Sequence, residues 1–379
     1  MPAHPTDCQH RDTSTWSIET GAGSLLVSSL DEVESAAIVR AWSRCTPTPC
    51  EASRGDVDRV SLASLSWDQF HEELVHRATR HAIEAGRGSH LMFHAACLAD
   101  LETGAAVVLV AASGTGKTTA TRTLGPHYGY LSDETAIVHP GDLAVTPYPK
   151  PLSVLSPSGS RPKHQVSPDE IGLGQAPEAT LQRICVLERV REPGERVTAR
   201  AEPMPLLEAL TLLVPQTSSV AHLPRGLVAL CRTLDRLGGA LRLVYSEASD
   251  LRPVIDGLLA QQPAPMSPSW TPLNDPELSA SPRTVSTAGT PGGDGATVRR
   301  HGAECGIQLD DGRLVLLASD RLVVLEGLGP SVWLLLDEPR TAADVVGRLR
   351  AEGPVPEDAE ARVREAMDAL VTAELATTG

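Results

Sequence analysis

One segment limits the folds open to this chain more than any other. Residues 105–110 (AAVVLV) form a continuous apolar run, and the glycine-rich sequence AASGTGKT follows at 111–118. Such a run predicts a strand buried on both faces, and the glycines predict a tight turn into a helix. A strand, a turn and a helix in this order indicate an α/β domain.

The turn has the pattern of a phosphate-binding loop, G-x-x-x-x-G-K-[S/T], with Ala111 at the first glycine position. Successive backbone N–H groups and the N-terminus of the helix would surround phosphate oxygens. In this pattern the Lys117 ammonium reaches the outer phosphates and the Thr118 hydroxyl binds Mg²⁺. We therefore expect ATP and Mg²⁺ as cofactors. The predicted nucleotide-binding residues are Ala111, Ala112, Ser113, Gly114, Thr115, Gly116, Lys117, Thr118 and Thr119.

Three further residues are candidates for catalysis. Asp133 and Glu134 follow the next predicted strand, at 128–131. Carboxylates at the end of a strand beside a phosphate loop can bind magnesium or take a proton from an attacking hydroxyl. Asp133 is therefore also a candidate metal ligand, and a solvated acidic turn is the alternative for both. His94 ends an apolar stretch before the loop, so it is either a catalytic residue or a core histidine.

The remainder of the first 261 residues alternates between strands and helices. Apolar runs predict strands at 184–187 and 241–245, and helical periodicity predicts helices at 206–213 and 227–237. A last helix begins after Ser249, with a proline in its first turn, where proline is tolerated. This pattern supports the α/β assignment.

Composition and charge exclude several classes of protein. The net charge of −15 over 379 residues argues against sequence-independent binding of DNA or RNA, which needs a basic face. The seven cysteines contain no C-x-x-C pair, so we expect reduced thiols. We find no N-terminal basic region followed by an apolar stretch and no run of about 18 apolar residues. We therefore expect a cytoplasmic protein with neither a nucleic-acid partner nor a membrane association.

Lysine is unusually rare in this chain. Of 33 basic residues, only Lys117, Lys150 and Lys163 are lysines. The bias suggests that the remaining lysines stand where arginine would not serve. Lys150 and Lys163 follow the acidic pair in a proline-containing stretch, and such segments often border active sites. We predict that at least one of them contacts the transferred phosphate or the substrate, with two surface lysines as the alternative.

A second, smaller domain is predicted at 301–379. Residues 262–300 are rich in Pro, Ser, Thr and Gly and have no period, which predicts a flexible linker after a large domain at 1–261. Beyond it, three short apolar runs separated by turns predict three strands, and helical periodicity then predicts three helices. The second helix begins at Thr341, with Asp344 as a capping-box variant. This domain lacks a cluster of reactive side chains, so we expect a binding module.

The large domain resembles the HPr serine kinase/phosphorylase superfamily over most of 90–260. The resemblance is carried by MFHAAC, AAVVLVAASGTGKTT, YLSDE and TPYPKPL. It implies an α/β P-loop kinase domain in which His94 lies near the transferred phosphate and Lys117 binds phosphates. It also implies that Glu134 is the base for the attacking serine and Asp133 the acid on the metal side. The family has aspartate where this chain has Glu134, so Asp133 stays an alternative base.

The small domain resembles the PqqD-like peptide-recognition fold, a small α+β, winged-helix-like domain. The resemblance is carried by RLVVLEG, GPSVWLLLDEPRTAADVVGRL and a third amphipathic helix. It implies that a leader peptide adds as a strand beside the segment from Arg321 to Glu326 and packs against the last helix.

Together the two resemblances predict a kinase that phosphorylates a Ser or Thr hydroxyl of a ribosomally made precursor peptide. The small domain would hold the leader and raise the local concentration of substrate. Two alternatives stay open: a kinase of a folded regulatory protein, and a non-catalytic ATP-dependent peptide chaperone. A homo-oligomer also stays open.

Overall fold

The computed structural model describes residues 13–51, 54–112, 116–155, 159–191, 196–274, 278, 296–303, 305–318 and 320–379. The chain divides into two compact units. The first unit comprises Met1–Ser219 and Leu237–Ala264, and the second comprises Val220–Arg236 and Pro265–Gly379.

The first unit is a mixed α/β structure. Its strands are β1 (Ser14–Glu19), β2 (Ser24–Leu30), β3 (Thr48–Cys50), β4 (Val57–Asp58), β5 (Leu91–Phe93), β6 (Ala95–Ala99), β7 (Ala105–Val110), β8 (Gly129–Ser132), β9 (Ala136–Val138), β10 (Ala144–Thr146), β11 (Leu152–Val154), β12 (His164–Val166), β13 (Gly174–Gln175), β14 (Ala179–Arg189), β15 (Arg200–Pro203) and β16 (Ala240–Tyr245). Its helices are α1 (Glu32–Ala41), α2 (Trp67–Gly86), α3 (Lys117–Leu124), α4 (Leu206–Leu213) and α6 (Arg252–Leu259).

The large sheet is built around β7, whose six residues are all buried. The strand order is β13-β8-β6-β7-β14-β10-β9-β5, and β16 pairs with both β14 and β15. Strands β7, β14 and β16 are parallel, whereas β6 is antiparallel to β7 and to β8. Because β7 and β8 both run opposite to β6, their carboxyl ends lie at the same edge of the sheet, where β6 begins.

A smaller sheet, in the order β3-β1-β2-β4, lies at the start of the chain. Helices α1 and α2 accompany it, and each begins with a capping box, Asp31 with Glu34 and Ser66 with Gln69. The apolar side of α2 and the buried Trp42 share a core cluster with these strands. Packing therefore fixes the position of α2. This helix also lines the cavity described below.

In its described residues the second unit combines a four-stranded sheet with helices, and three of these helices supply much of the core. The sheet order is β17-β19-β20-β21, so β21 is an edge strand, and β18 pairs separately with β22. Trp333 and Val363 are fully buried in the shared core. The elements are α5 (Gly226–Arg236), β17 (Trp270–Pro272), β18 (Val298–Arg300), β19 (Cys305–Leu309), β20 (Leu314–Ala318), β21 (Arg321–Leu325), α7 (Gly329–Leu335), α8 (Ala342–Glu352), α9 (Ala359–Thr372) and β22 (Ala376–Thr378).

The sequence predictions agree with most of these elements. Strand β7, helices α3 and α4, the strands β19 to β21 and the capping box at Thr341 are confirmed. The structure differs from the predicted linker at 262–300, because β17 and β18 fall inside it. Trp270 is buried, and its indole N–H donates to Asp235 at 3.0 Å. Pairing with the distant strand β19 orders this proline-containing segment, and no local pattern reports such a pairing. The linker residues 275–277 and 279–295 lie outside the described residues.

The boundary predicted at residue 261 also differs from the division into units. Helix α5, expected in the domain at 1–261, belongs to the second unit. Among the described residues, none of the helices combines the length and apolarity that crossing a bilayer requires.

Candidate functional site

The loop after β7 leads into α3 through Gly116. This residue has φ 112° and ψ 15°, in the left-handed region that favours glycine, and it is the N-cap of α3. Lys117 follows as the first residue of the helix and is buried, with its Nζ donating to the Ala111 carbonyl oxygen at 2.5 Å. Burial lowers the pKa of Lys117, and the nearby carboxylates of Glu134 and Asp133 oppose that shift. The motif residues Ser113, Gly114 and Thr115 lie outside the described residues.

The acidic pair lies at the carboxyl end of β8. The Ser132 hydroxyl accepts hydrogen bonds from the backbone N–H groups of Glu134 and Thr135, at 3.2 and 3.0 Å. This turn holds the two acids at the edge of the sheet where β7 also ends. The Asp133 side chain is only 4% exposed, whereas that of Glu134 is 30% exposed.

Lys150 joins the two acids. Its side chain is 1% exposed, and its Nζ lies 2.9 Å from Asp133 Oδ1 and 3.0 Å from Glu134 Oε2. A third donation, to the Pro151 carbonyl oxygen at 3.3 Å, uses the remaining N–H of the ammonium. Burial alone would lower the pKa of Lys150, but the two carboxylates raise it above its usual value. Lys150 therefore remains charged.

Lys150 in turn keeps Glu134 ionised. Burial raises the pKa of Glu134, but the charge and hydrogen bond of Lys150 outweigh it and hold the pKa below its usual value. Tyr130 donates to Asp133 Oδ1 at 3.1 Å, and Thr79 donates to Glu134 Oε2 at 3.4 Å. Within the described part of the chain, these bonds leave Asp133 Oδ2 and Glu134 Oε1 without hydrogen bonds.

His94 lies next to both acids because of strand order. It immediately precedes β6, whose first residues pair with the carboxyl ends of β7 and β8. The pKa of its imidazole is lowered by burial and then by the charge of Lys117, and the nearby carboxylates of Glu134 and Asp133 oppose that shift. His94 is therefore predominantly neutral at physiological pH.

All four predicted catalytic residues line one cavity of about 470 Å³. The predicted nucleotide-binding residues in its wall are Gly116, Lys117, Thr118 and Thr119. Ala111 is not in the wall but accepts the Lys117 hydrogen bond. The three lysines of the chain all line this cavity. Sequence reasoning did not identify the other polar residues of the wall, His76, Arg122 and Ser153.

The cavity has suitable donors for magnesium accompanied by a nucleotide. The Thr118 hydroxyl and the Asp133 carboxylate both line it, and Asp133 Oδ2 has no hydrogen bond among the described residues. In the same residues, no group of three or more His, Cys, Asp or Glu side chains could hold a metal ion. Magnesium at nucleotide sites needs only one or two protein ligands beside phosphates and water, so these donors fit.

A second cavity, of about 660 Å³, lies in the second unit between β21 and helix α9. Its wall is mainly apolar and includes Val323, Leu325, Val363, Ala366, Ala369 and Leu370. Because β21 is an edge strand, its outer backbone groups border this apolar groove. The geometry suits an extended peptide that pairs with the strand and inserts side chains into the groove.

Comparison with known proteins identifies part of the chain. Residues 313–376 match the model of the PqqD family, described as coenzyme PQQ synthesis protein D. A PqqD domain therefore occupies this region, and PqqD domains bind precursor peptides. No curated protein and no solved structure matches the chain. The resemblance of the first unit to HPr kinase stays a prediction.

Proposed function

We propose that the chain is an ATP-dependent kinase of a Ser or Thr hydroxyl in a ribosomally made precursor peptide. The observation that carries the proposal is the convergence of Lys117, Asp133, Glu134 and His94 in one cavity at a strand-to-helix loop. A cation beside backbone donors suits phosphates, and an ionised carboxylate beside them suits a hydroxyl acceptor. The PqqD domain supports a peptide as that acceptor.

In the proposed reaction, the acceptor hydroxyl oxygen forms a bond to the γ-phosphorus of ATP. The bond from that phosphorus to the β–γ bridging oxygen breaks, and ADP leaves with the electron pair. The hydroxyl proton passes to Glu134, which is the more exposed of the two acids and has Oε1 available. The Lys117 ammonium releases the Ala111 carbonyl oxygen and donates to phosphate oxygens instead. His94, as a neutral imidazole, offers a hydrogen bond near the transferred group.

Thr118 and Asp133 would hold Mg²⁺, which neutralises charge on the phosphates. This assignment gives the two acids different tasks. Asp133 is nearly inaccessible except through the cavity, and both Lys150 and Tyr130 fix its Oδ1 atom. A carboxylate held in this way is preorganised as a ligand, because little side-chain freedom remains to be lost on binding.

The second unit would capture the leader of the precursor. The apolar groove beside β21 supports strand addition with side-chain pockets, and the PqqD match covers both walls of the groove. Covalent linkage of the two units in one chain gives a bound precursor an effective concentration on the order of millimolar at the kinase site.

The decisive experiment measures transfer of ³²P from [γ-³²P]ATP to a leader-bearing precursor peptide. We expect Lys117→Ala to lower kcat/KM on the order of 100-fold, because one charged donor to the phosphates is removed. Arg80→Ala, which removes a positive charge from the exposed face of α2 outside the cavity wall, is the matched control. Normal turnover by Lys117→Ala would refute the assignment. ATP hydrolysis without phosphopeptide would favour the chaperone instead.

A further inference from the structure

The cavity of the first unit contains more positive charge than a phosphate loop requires. Among the described residues its wall holds four basic side chains, Lys117, Arg122, Lys150 and Lys163, in a chain of net charge −15. Lys117 belongs to the phosphate loop, and Lys150 is committed to the acidic pair through contacts of 2.9 and 3.0 Å. Pairing with the two acids therefore does not explain why Arg122 and Lys163 lie in the cavity wall.

The position of Lys163 is fixed by a hydrogen bond of its backbone and not by a contact of its ammonium group. Its backbone N–H donates to Glu72 Oε2 at 3.3 Å, while Glu72 Oε1 accepts from Arg161 at 2.9 Å. Glu72 is buried on α2, so the segment before β12 is anchored against that helix. Within the described residues, the Lys163 ammonium has no acidic partner.

Arg122 and His76 line the wall of the same cavity. Arg122 lies on α3 beyond the phosphate loop, and His76 is exposed on α2. Neither side chain has an ion pair in the described part of the chain. The charge of protonated His76 nevertheless acts on Glu134, so this surface lies close to the proposed base.

We propose that His76, Arg122 and Lys163 form an anion-binding subsite for a carboxylate of the acceptor peptide, beside the hydroxyl that is phosphorylated. The inference rests on the proposed function and names its substrate class: an acceptor Ser or Thr with an acidic group close by. The subsite steers an acidic segment towards a site whose own two acids are already paired with Lys150. It also offsets the repulsion between that segment and the acidic remainder of the protein.

The test uses the full-length protein saturated with ADP and two fluorescein-labelled peptides, Glu-Glu-Ser-Glu-Glu and Gln-Gln-Ser-Gln-Gln. We expect fluorescence anisotropy to show binding of the acidic peptide about tenfold tighter, because at least one charge-assisted contact is added. Raising the salt concentration should reduce this difference. In Lys163→Met and Arg122→Gln the difference should shrink, whereas the matched control Arg80→Gln should keep it.

Three outcomes would overturn the subsite: equal affinity for the two peptides, equal losses in the control variant, or preference for the acidic peptide only when ADP is omitted. The last outcome would assign the cations to the nucleotide. Because binding is measured without phosphate transfer, the result is separate from the kinase assay. Absence of transfer with intact acidic preference would refute the proposed function and leave the anion subsite standing.

Discussion

Lys150→Met would test whether the buried lysine holds the acidic pair together. The substitution keeps much of the side-chain volume and removes the charge, leaving Asp133 almost fully buried without its ion-pair partner. Removing one partner of a buried ion pair costs about 3–5 kcal/mol of stability. Because the Glu134 side chain is 30% exposed and can gain hydration, we expect the lower end of that range, about 3 kcal/mol.

Amide hydrogen exchange of β7 and β8 measures this loss within the first unit itself. A loss of about 3 kcal/mol corresponds to exchange on the order of 100-fold faster when exchange requires opening of the sheet. The matched variant, Lys150→Met with Asp133→Asn, removes the uncompensated charge and should recover part of the loss. A change below about 1 kcal/mol in Lys150→Met would show that the contacts at 2.9 and 3.0 Å contribute little net stability.

Two further predictions concern pH and the peptide groove. His71 is buried and accepts a hydrogen bond from the Trp42 indole at 2.8 Å, and burial lowers its pKa from 6.5 to about 4. The unfolded state then binds the proton first, so stability should fall by about 2 kcal/mol from pH 7 to pH 5. His71→Gln should weaken that pH dependence in thermal denaturation, and an unchanged slope would contradict the assignment. Ala369→Glu places a charge in the wall of the apolar groove and should raise the Kd for a labelled precursor about tenfold. Ala361→Glu, exposed on the same helix outside the groove wall, is its control, and equal effects would exclude the groove as the binding site.

Local patterns were sufficient to predict the strand and helix that flank the phosphate loop and the turn at Asp133, but they did not predict α2 or β11, which also line the cavity. The apolar run of β7, the glycines after it and the turn at Asp133 each have an unambiguous period or composition. They could not show why His94 approaches the acids, because the pairing of β6 with β8 joins strands about 30 residues apart in the sequence. The same limit applies to Trp270, whose strand partner β19 lies beyond a proline-rich segment.

The rare lysines illustrate a different kind of evidence. The bias towards arginine predicted that Lys150 or Lys163 contacts phosphate or substrate, and both line the cavity. Whether either contacts phosphate stays a prediction. The composition could not indicate that Lys150 forms ion pairs with Asp133 and Glu134, because these contacts depend on how the chain buries the lysine.

The geometry at Lys150 explains why arginine would not serve there. Its three N–H donors meet three acceptors, on Asp133, Glu134 and Pro151, inside a space that leaves 1% of the side chain exposed. A guanidinium is planar and larger, so it cannot direct its donors to three acceptors around one point. A compact ammonium can contact both acids at once and still leave an oxygen on each for the cavity. Lys150 therefore preorganises the acidic pair, and any chemistry that the pair performs depends on this lysine.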